Sequence, residues 1–151
     1  MADGSTTESA RASKPIPTSG KVAIVQLLIL AALGMTAGWS LMSSPDGSQM
    51  GVPLDWLKGT PFSSYFVPGL LLFLVLGLGS LVSAVVGMVK PALGPYLAFA
   101  AAVDLLIWIE LQYLLLSSVG MRSMWPGLVA YTLMLFLAGY LWMKDKRPTT
   151  A

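Results

Sequence analysis

The chain has 151 residues, with nine Lys and Arg against seven Asp and Glu for a net charge of +2. Hydrophobic residues make up 56% and charged residues 11%, where a soluble domain averages about 25% charged; with a mean hydropathy of +0.75, an ordinary soluble globule is excluded and lipid is the indicated solvent. The absence of Cys and His also excludes disulfides, thiolate nucleophiles, iron–sulfur ligation, imidazole ligation of haem or metal, and a Ser–His triad.

Residues 1–21, MADGSTTESARASKPIPTSGK, are rich in Ser, Thr, Ala and Pro and carry almost no large apolar side chain. Such a segment buries too little surface to offset its ordering entropy and reads as a disordered tail. Four apolar runs follow, at about 22–43, 65–89, 93–117 and 125–143. Roughly 20 residues at about 1.5 Å per residue cross a hydrocarbon core, and each run is that long. The runs are continuous rather than alternating, which suits helices and not a β-barrel. A basic residue ahead of the first run loosely fits a signal peptide. That run is long for one, however, and lacks a clear A-x-A cleavage site, so it is read as a retained span. The fold class is all-α: a polytopic membrane protein with four transmembrane helices in an antiparallel bundle and a short tail at 144–151.

Arg11, Lys14, Lys21, Lys90, Lys144, Lys146 and Arg147 fall on one side of this arrangement, and Lys58 and Arg122 on the other. The excess places both termini in the cytoplasm, and the plasma (inner) membrane is the expected location. Trp39, Trp56, Tyr65, Trp125 and Trp142 lie near the span ends, where aromatic rings favour the headgroup zone.

The outer loop at 44–64 is not an ordinary polar connection, since Met50, Val52, Leu54, Trp56, Leu57 and Phe62 are spaced through it. Pro53 is placed to open a short interfacial helix carrying Leu54, Trp56 and Leu57. Thr60-Pro61 reads as N-cap and first residue of the second span. Pro68-Gly69 then marks a kink or the true start of that span. An interfacial cap and a lid over a binding site are the two readings of this loop, the cap being the commoner arrangement.

Gly34 and Gly38 form a GxxxG in the first span, and Gly79, Ser83 and Gly87 repeat every four residues in the second, with Ser80 and Ala84 beside them. Small residues at this period let helix backbones approach closely, which matters in lipid because no hydrophobic drive brings helices together. Packing within the bundle is the favoured use, and two grooves on a bundle this small leave one for another protein.

Asp104 and Glu110 in the third run are the charged residues within the spans. A carboxylate at the bilayer centre costs about 2.5–3.5 kcal/mol on insertion scales. No Lys or Arg lies within a span to pair with one, which favours neutral, hydrogen-bond-donating acids. Six residues of helix put the two carboxyls roughly 9 Å apart in depth and about 120° apart in direction. Asp104 shares its face with Leu97, Ala101, Trp108 and Leu111; Glu110 shares its face with Phe99, Val103, Leu106 and Leu114; Gln112 lies nearer the Asp104 side. Gly77, Gly79 and Ser80 match Asp104 in depth, and Thr36, Tyr131 or a snorkelling Arg122 match Glu110. A proton or cation relay, a hydrogen bond holding helices together, and contact with another subunit are the three uses open to them. Their separation does not suit a hydrolytic acid–base pair.

No phosphate loop, GxGxxG, metal-spaced acid cluster or clustered basic site is present. No catalytic residue, cofactor or nucleic-acid partner is therefore expected; chlorophyll or quinone contact, which needs no His, stays open, and an enzyme of lipid or quinone chemistry is the least favoured role for lack of a base or metal site. The terminal Lys-Asp-Lys-Arg reads as a topology anchor.

Gly51, Pro53, Gly59-Thr60-Pro61-Phe62, Tyr65 and Pro68-Gly69-Leu70 form a pattern, G-x-P…G-T-P-F-x-x-[FY]-x-x-P-G-L. It resembles that of an uncharacterised group of small bacterial four-span membrane proteins, as does the Trp108 to Gln112 segment. The resemblance covers about residues 22–143 and implies topology without an assigned activity. Small multidrug exporters are similar in size and span count. Their membrane carboxylate belongs in the first helix, where this chain has Gln26, Thr36 and Ser40, and their outer loop is shorter. The expected role is a non-enzymatic accessory subunit that contacts membrane lipids and other integral membrane proteins. The alternative is a small oligomeric transporter or proton-coupled carrier using Asp104 and Glu110.

Overall fold

The computed structural model describes residues 15–115 and 125–146. Arg122, the tail up to residue 14 and residues 147–151 lie outside the described residues, as does the segment 116–124. All regular structure among the described residues is helical. Four helices are long and apolar enough to cross a membrane, so this is a multi-pass membrane protein.

Helix α1 covers Thr18–Ser43. Pro17 precedes it in an extended conformation and its carbonyl accepts the Lys21 N–H at 3.0 Å. The helix thus starts a turn before the apolar run, because backbone pairing carries it through Thr18–Lys21. It ends where the Ser44 N–H reaches back to the Ser40 carbonyl, with Pro45 next in line to bar continuation. Gly20, Ala23, Ile24, Leu27, Leu30, Ala31, Gly34, Gly38 and Leu41 are all buried along it.

The second span runs Phe66–Val89 in three pieces: α2 (Phe66–Leu71), a π segment (Leu72–Leu78) and α3 (Gly79–Val89). Pro68 sits in its first turn, where a missing N–H costs no helical bond. The π segment has a geometric use. In a regular α-helix, residues eight apart drift by about 80° around the axis, whereas the wider π turn reduces that drift. Gly69, Phe73 and Gly77 are thereby all brought against α1. A Cβ added at Gly38 would stand 2.6 Å from the Phe73 nitrogen and 2.7 Å from the Gly69 oxygen, and one at Gly34 would stand 2.8 Å from the Gly77 nitrogen. The two backbones cross at contact distance along this line.

The GxxxG of α1 therefore packs within the chain. The four-residue repeat of the second span is used differently. Gly87 is buried near Trp142, Gly94 and Ile24, whereas Gly79 is exposed and a Cβ there would meet only the Leu74 oxygen at 3.8 Å. Ser83 spends its hydroxyl on the Gly79 carbonyl at 2.8 Å. The buried face beyond the π segment is Ser80, Ala84 and Gly87, because the π turn changes which residues face α1.

A four-residue connection after Val89, containing Pro91, leads to α4 (Gly94–Leu115), and α5 covers Trp125–Lys146. Small residues join this pair: a Cβ on Gly139 would lie 3.3 Å from that of Ala98. The rings of Phe99 and Phe136 meet at 5.6 Å between centroids. Ser19 donates to the Asp145 carboxylate at 2.6 Å, tying the start of α1 to the end of α5.

Trp142 departs from its expected place in the headgroup zone. It is fully buried, with its ring against Gly20, Gly87 and Gly94 of three other helices. Glycines at one depth leave a hole the size of an indole, and Trp142 fills it. Trp39 is exposed, as a lipid-facing anchor would be.

Candidate functional site

The loop from Ser44 to Tyr65 is folded by its own hydrogen bonds. Asp46 accepts from the Ser48 N–H at 3.2 Å and from its hydroxyl at 2.8 Å, and these bonds hold the exposed carboxyl below the ordinary 3.8. Gly47 has φ +78, and a Cβ there would strike the Val52 carbonyl, which accepts no substitute for glycine without moving the turn. The expected short helix after Pro53 is present as a 3-10 turn, Leu54–Leu57. Thr60 caps no long helix. Its hydroxyl donates to the Leu57 carbonyl at 2.8 Å and accepts the Phe62 N–H at 3.2 Å, closing a turn, and the second span begins six residues later at Phe66.

Tyr65 fastens this loop at two points. Its N–H donates to the Pro45 carbonyl and its hydroxyl to the Pro53 carbonyl, both at 2.8 Å. The side chain is buried, which pushes the phenol above its ordinary 10.0. Leu41, Leu57 and Tyr65 form a small core, with Val52, Phe62 and Leu72 against it.

Beneath this core lies a partly enclosed cavity of about 290 Å³. Leu30, Gly34, Ala37 and Leu41 of α1 form one wall, Leu71, Leu72 and Leu76 of the second span another, and Trp108, Leu111 and Gln112 of α4 a third; Leu128 of α5 also reaches it. Met50, Val52, Trp56, Leu57, Thr60 and Phe62 roof it from the loop. Trp56, Leu57 and Phe62, singled out in the sequence, thus line one apolar space, and so does Gln112. The hydroxyls of Thr60 and Tyr65 on its wall are already bonded to carbonyls of the loop.

The two acids do not meet. Asp104 is half-buried on the flank of α4 that continues into the cavity wall through Trp108 and Leu111, one and two turns further on. Glu110 is exposed, beside the exposed Val103 and Ile107. Neither carboxyl makes a hydrogen bond or ion pair among the described residues. Tyr131 packs against the cluster that holds Leu105 and Ile109, but its hydroxyl donates to the Gln26 carbonyl, while the buried Gln26 Oε1 has no hydrogen-bond partner among the described residues. No group of three or more potential metal ligands occurs among the described residues.

The apolar character of the loop was legible from its spacing, which left a cap and a lid as its two readings. The contributions of Leu72, Leu76 and Leu128 were not, because nothing distinguishes a leucine facing a cavity from one facing lipid until the helices are placed. No protein family, curated protein or solved structure matches this chain.

Proposed function

We propose that this chain is a non-enzymatic interaction subunit of a larger assembly in the plasma membrane, with both termini cytoplasmic and other integral membrane proteins as partners. The observation that carries the reading is Asp104. Its carboxyl stands about 15 Å along α4 from Gly94 at 1.5 Å per residue, half-exposed at the bundle flank, with no donor or cation among the described residues to meet it. Acids at hydrocarbon depth are almost always paired within protein or face water. A neighbouring chain that supplies the missing donor satisfies that requirement, and the exposed Glu110 offers it a second point of contact nearer the headgroups.

Purification in mild detergent followed by native mass spectrometry tests this directly. A reproducible complex with larger membrane proteins is expected, weakened by Asp104→Leu. Recovery solely as monomer or homodimer would overturn it.

A second reading is a small oligomeric carrier coupled through Asp104. What favours it is the continuity of the Asp104 flank with Trp108 and Leu111 in the cavity wall. Asp104→Asn should then abolish proton-coupled flux of a hydrophobic cation in proteoliposomes, and undiminished flux would exclude it.

A further inference from the structure

We infer that the cavity beneath the loop holds the hydrocarbon tail of a membrane amphiphile drawn from the loop-side leaflet. The inference rests on the cavity itself and is independent of the subunit reading. An apolar cavity of about 150 Å³ in a soluble protein takes up benzene and stays free of water. This one, at about 290 Å³, is roughly twice that size and has room for about a dozen carbons on the same scale.

Water is a poor occupant because it needs two to four polar partners. The lining is leucine and aromatic apart from Thr60, Tyr65 and Gln112; the Thr60 and Tyr65 hydroxyls are committed to the Leu57 and Pro53 carbonyls, which leaves the Gln112 amide, fewer side-chain partners than a water needs. The walls belong to spans whose outward faces stand in lipid, so the nearest apolar solute is a lipid tail. The cavity is open on one part of its boundary and roofed by the folded loop, which suits a tail entering sideways and stopping beneath Trp56 and Phe62. Filling the space gives the Leu72, Leu76 and Trp108 side chains the dispersion contacts that a void denies them.

The test uses the full chain in phosphatidylcholine vesicles containing a phosphatidylcholine with a diazirine midway along one acyl chain. After irradiation, mass spectrometry maps the adducts. Adducts are expected on Leu76 and Trp108 as well as on Val82 and Leu133, which are exposed on the outer faces of their helices. Leu72→Trp, which fills the cavity, should abolish the adducts at Leu76 and Trp108 and leave those at Val82 and Leu133 unchanged. Leu111→Trp fills it from the opposite wall and gives the same result if Leu72→Trp does not fold. Labelling confined to outward residues in the unmodified chain would overturn the inference, as would adducts at Leu76 and Trp108 that persist in both variants. Loss of those adducts on adding an unlabelled polyprenyl amphiphile, but not an equal amount of unlabelled phosphatidylcholine, would keep the site and identify its tail as isoprenoid.

Discussion

The two ends of this bundle are built from opposite materials. Where the termini lie, one indole is surrounded by glycine and alanine: Trp142 sits against Gly20, Gly87 and Gly94, and Ala23, Ala84, Ala98, Ala102 and Ala138 are buried in the same core. Where the loop lies, large side chains dominate, with Leu30, Leu76, Leu105 and Ile109 buried and Leu72, Trp108, Leu128 and Tyr131 packed against them. Among the described residues, the end made of small residues closes round that ring, and the end made of large ones holds the cavity. Small residues let four backbones converge until one large ring closes the gap. Trp108 and Leu111 of α4 and Leu128 of α5 border the cavity without filling it. On another wall of the cavity, α1 and the second span stay in backbone contact through Gly34, Gly38, Gly69 and Gly77.

The sharpest way to break this comparison is to remove the plug. Trp142→Ala should cost about 3–5 kcal/mol, the range for deleting a buried aromatic, read as loss of resistance to denaturant in micelles. Paired leucine truncations come next. Leu135→Ala, at a fully buried position in the filled end, should cost about 2–5 kcal/mol. Leu128→Ala borders existing empty space and should fall at or below the bottom of that range. Equal losses would mean that the loop end is as tightly packed as the other. Because lipid is as apolar as leucine, both measurements report packing rather than transfer from water.

The crossing of α1 with the second span gives a third pair. Gly38→Ala drives a methyl into the Phe73 and Gly69 backbone and should cost about 1–3 kcal/mol. Gly79→Ala makes only an ordinary contact, with the Leu74 oxygen at 3.8 Å, and should be neutral or stabilising by about a few tenths of a kcal/mol through helix propensity.

The loop supplies the smaller effects. Tyr65→Phe removes a buried hydrogen bond to Pro53 and should cost about 0.5–1.5 kcal/mol. It also changes the pH profile. The phenol is raised in the folded state, so its stabilising share is complete below the unfolded value of about 10 and is lost as pH rises through the folded value. Unfolding titrations of Tyr65→Phe should lack that alkaline decline. Asp46 has the opposite sign, being lowered by Ser48. Its contribution is present above about pH 4 and is lost as pH falls through the folded value. Asp46→Asn should flatten this acid limb with the smallest change of the set.

Much of the fold was legible because hydropathy reports lipid contact directly. The 22–43, 65–89 and 125–143 runs match the start or end of a helix within four residues, and the errors lie at polar turns that backbone pairing recruits. Thr60-Pro61 misled because a Thr that caps a long helix and a Thr that closes a loop turn satisfy the same N–H in the same way. Trp142 misled because a tryptophan near a span end is usually an interface anchor. The signal against that reading was present in Gly20, Gly87 and Gly94, glycines at matching depth on three other helices. Gly79 and Ser83 misled because steps of four drift by about 40° each around an α-helix, and the face that α3 buries follows Ser80, Ala84 and Gly87 instead. The cavity was beyond sequence reasoning, since it depends on how far apart whole helices stand.

The π segment governs how the second span tolerates change in length. A π turn is an α-helix that accommodates a surplus residue, so Leu72–Leu78 works as an indexing step between two half-rods. Gaining or losing one residue there would act as a dial, turning the loop-side half by about 100° against the other. Gly69 would leave its seat opposite Gly38, and Tyr65 would carry the roof of the cavity around with it.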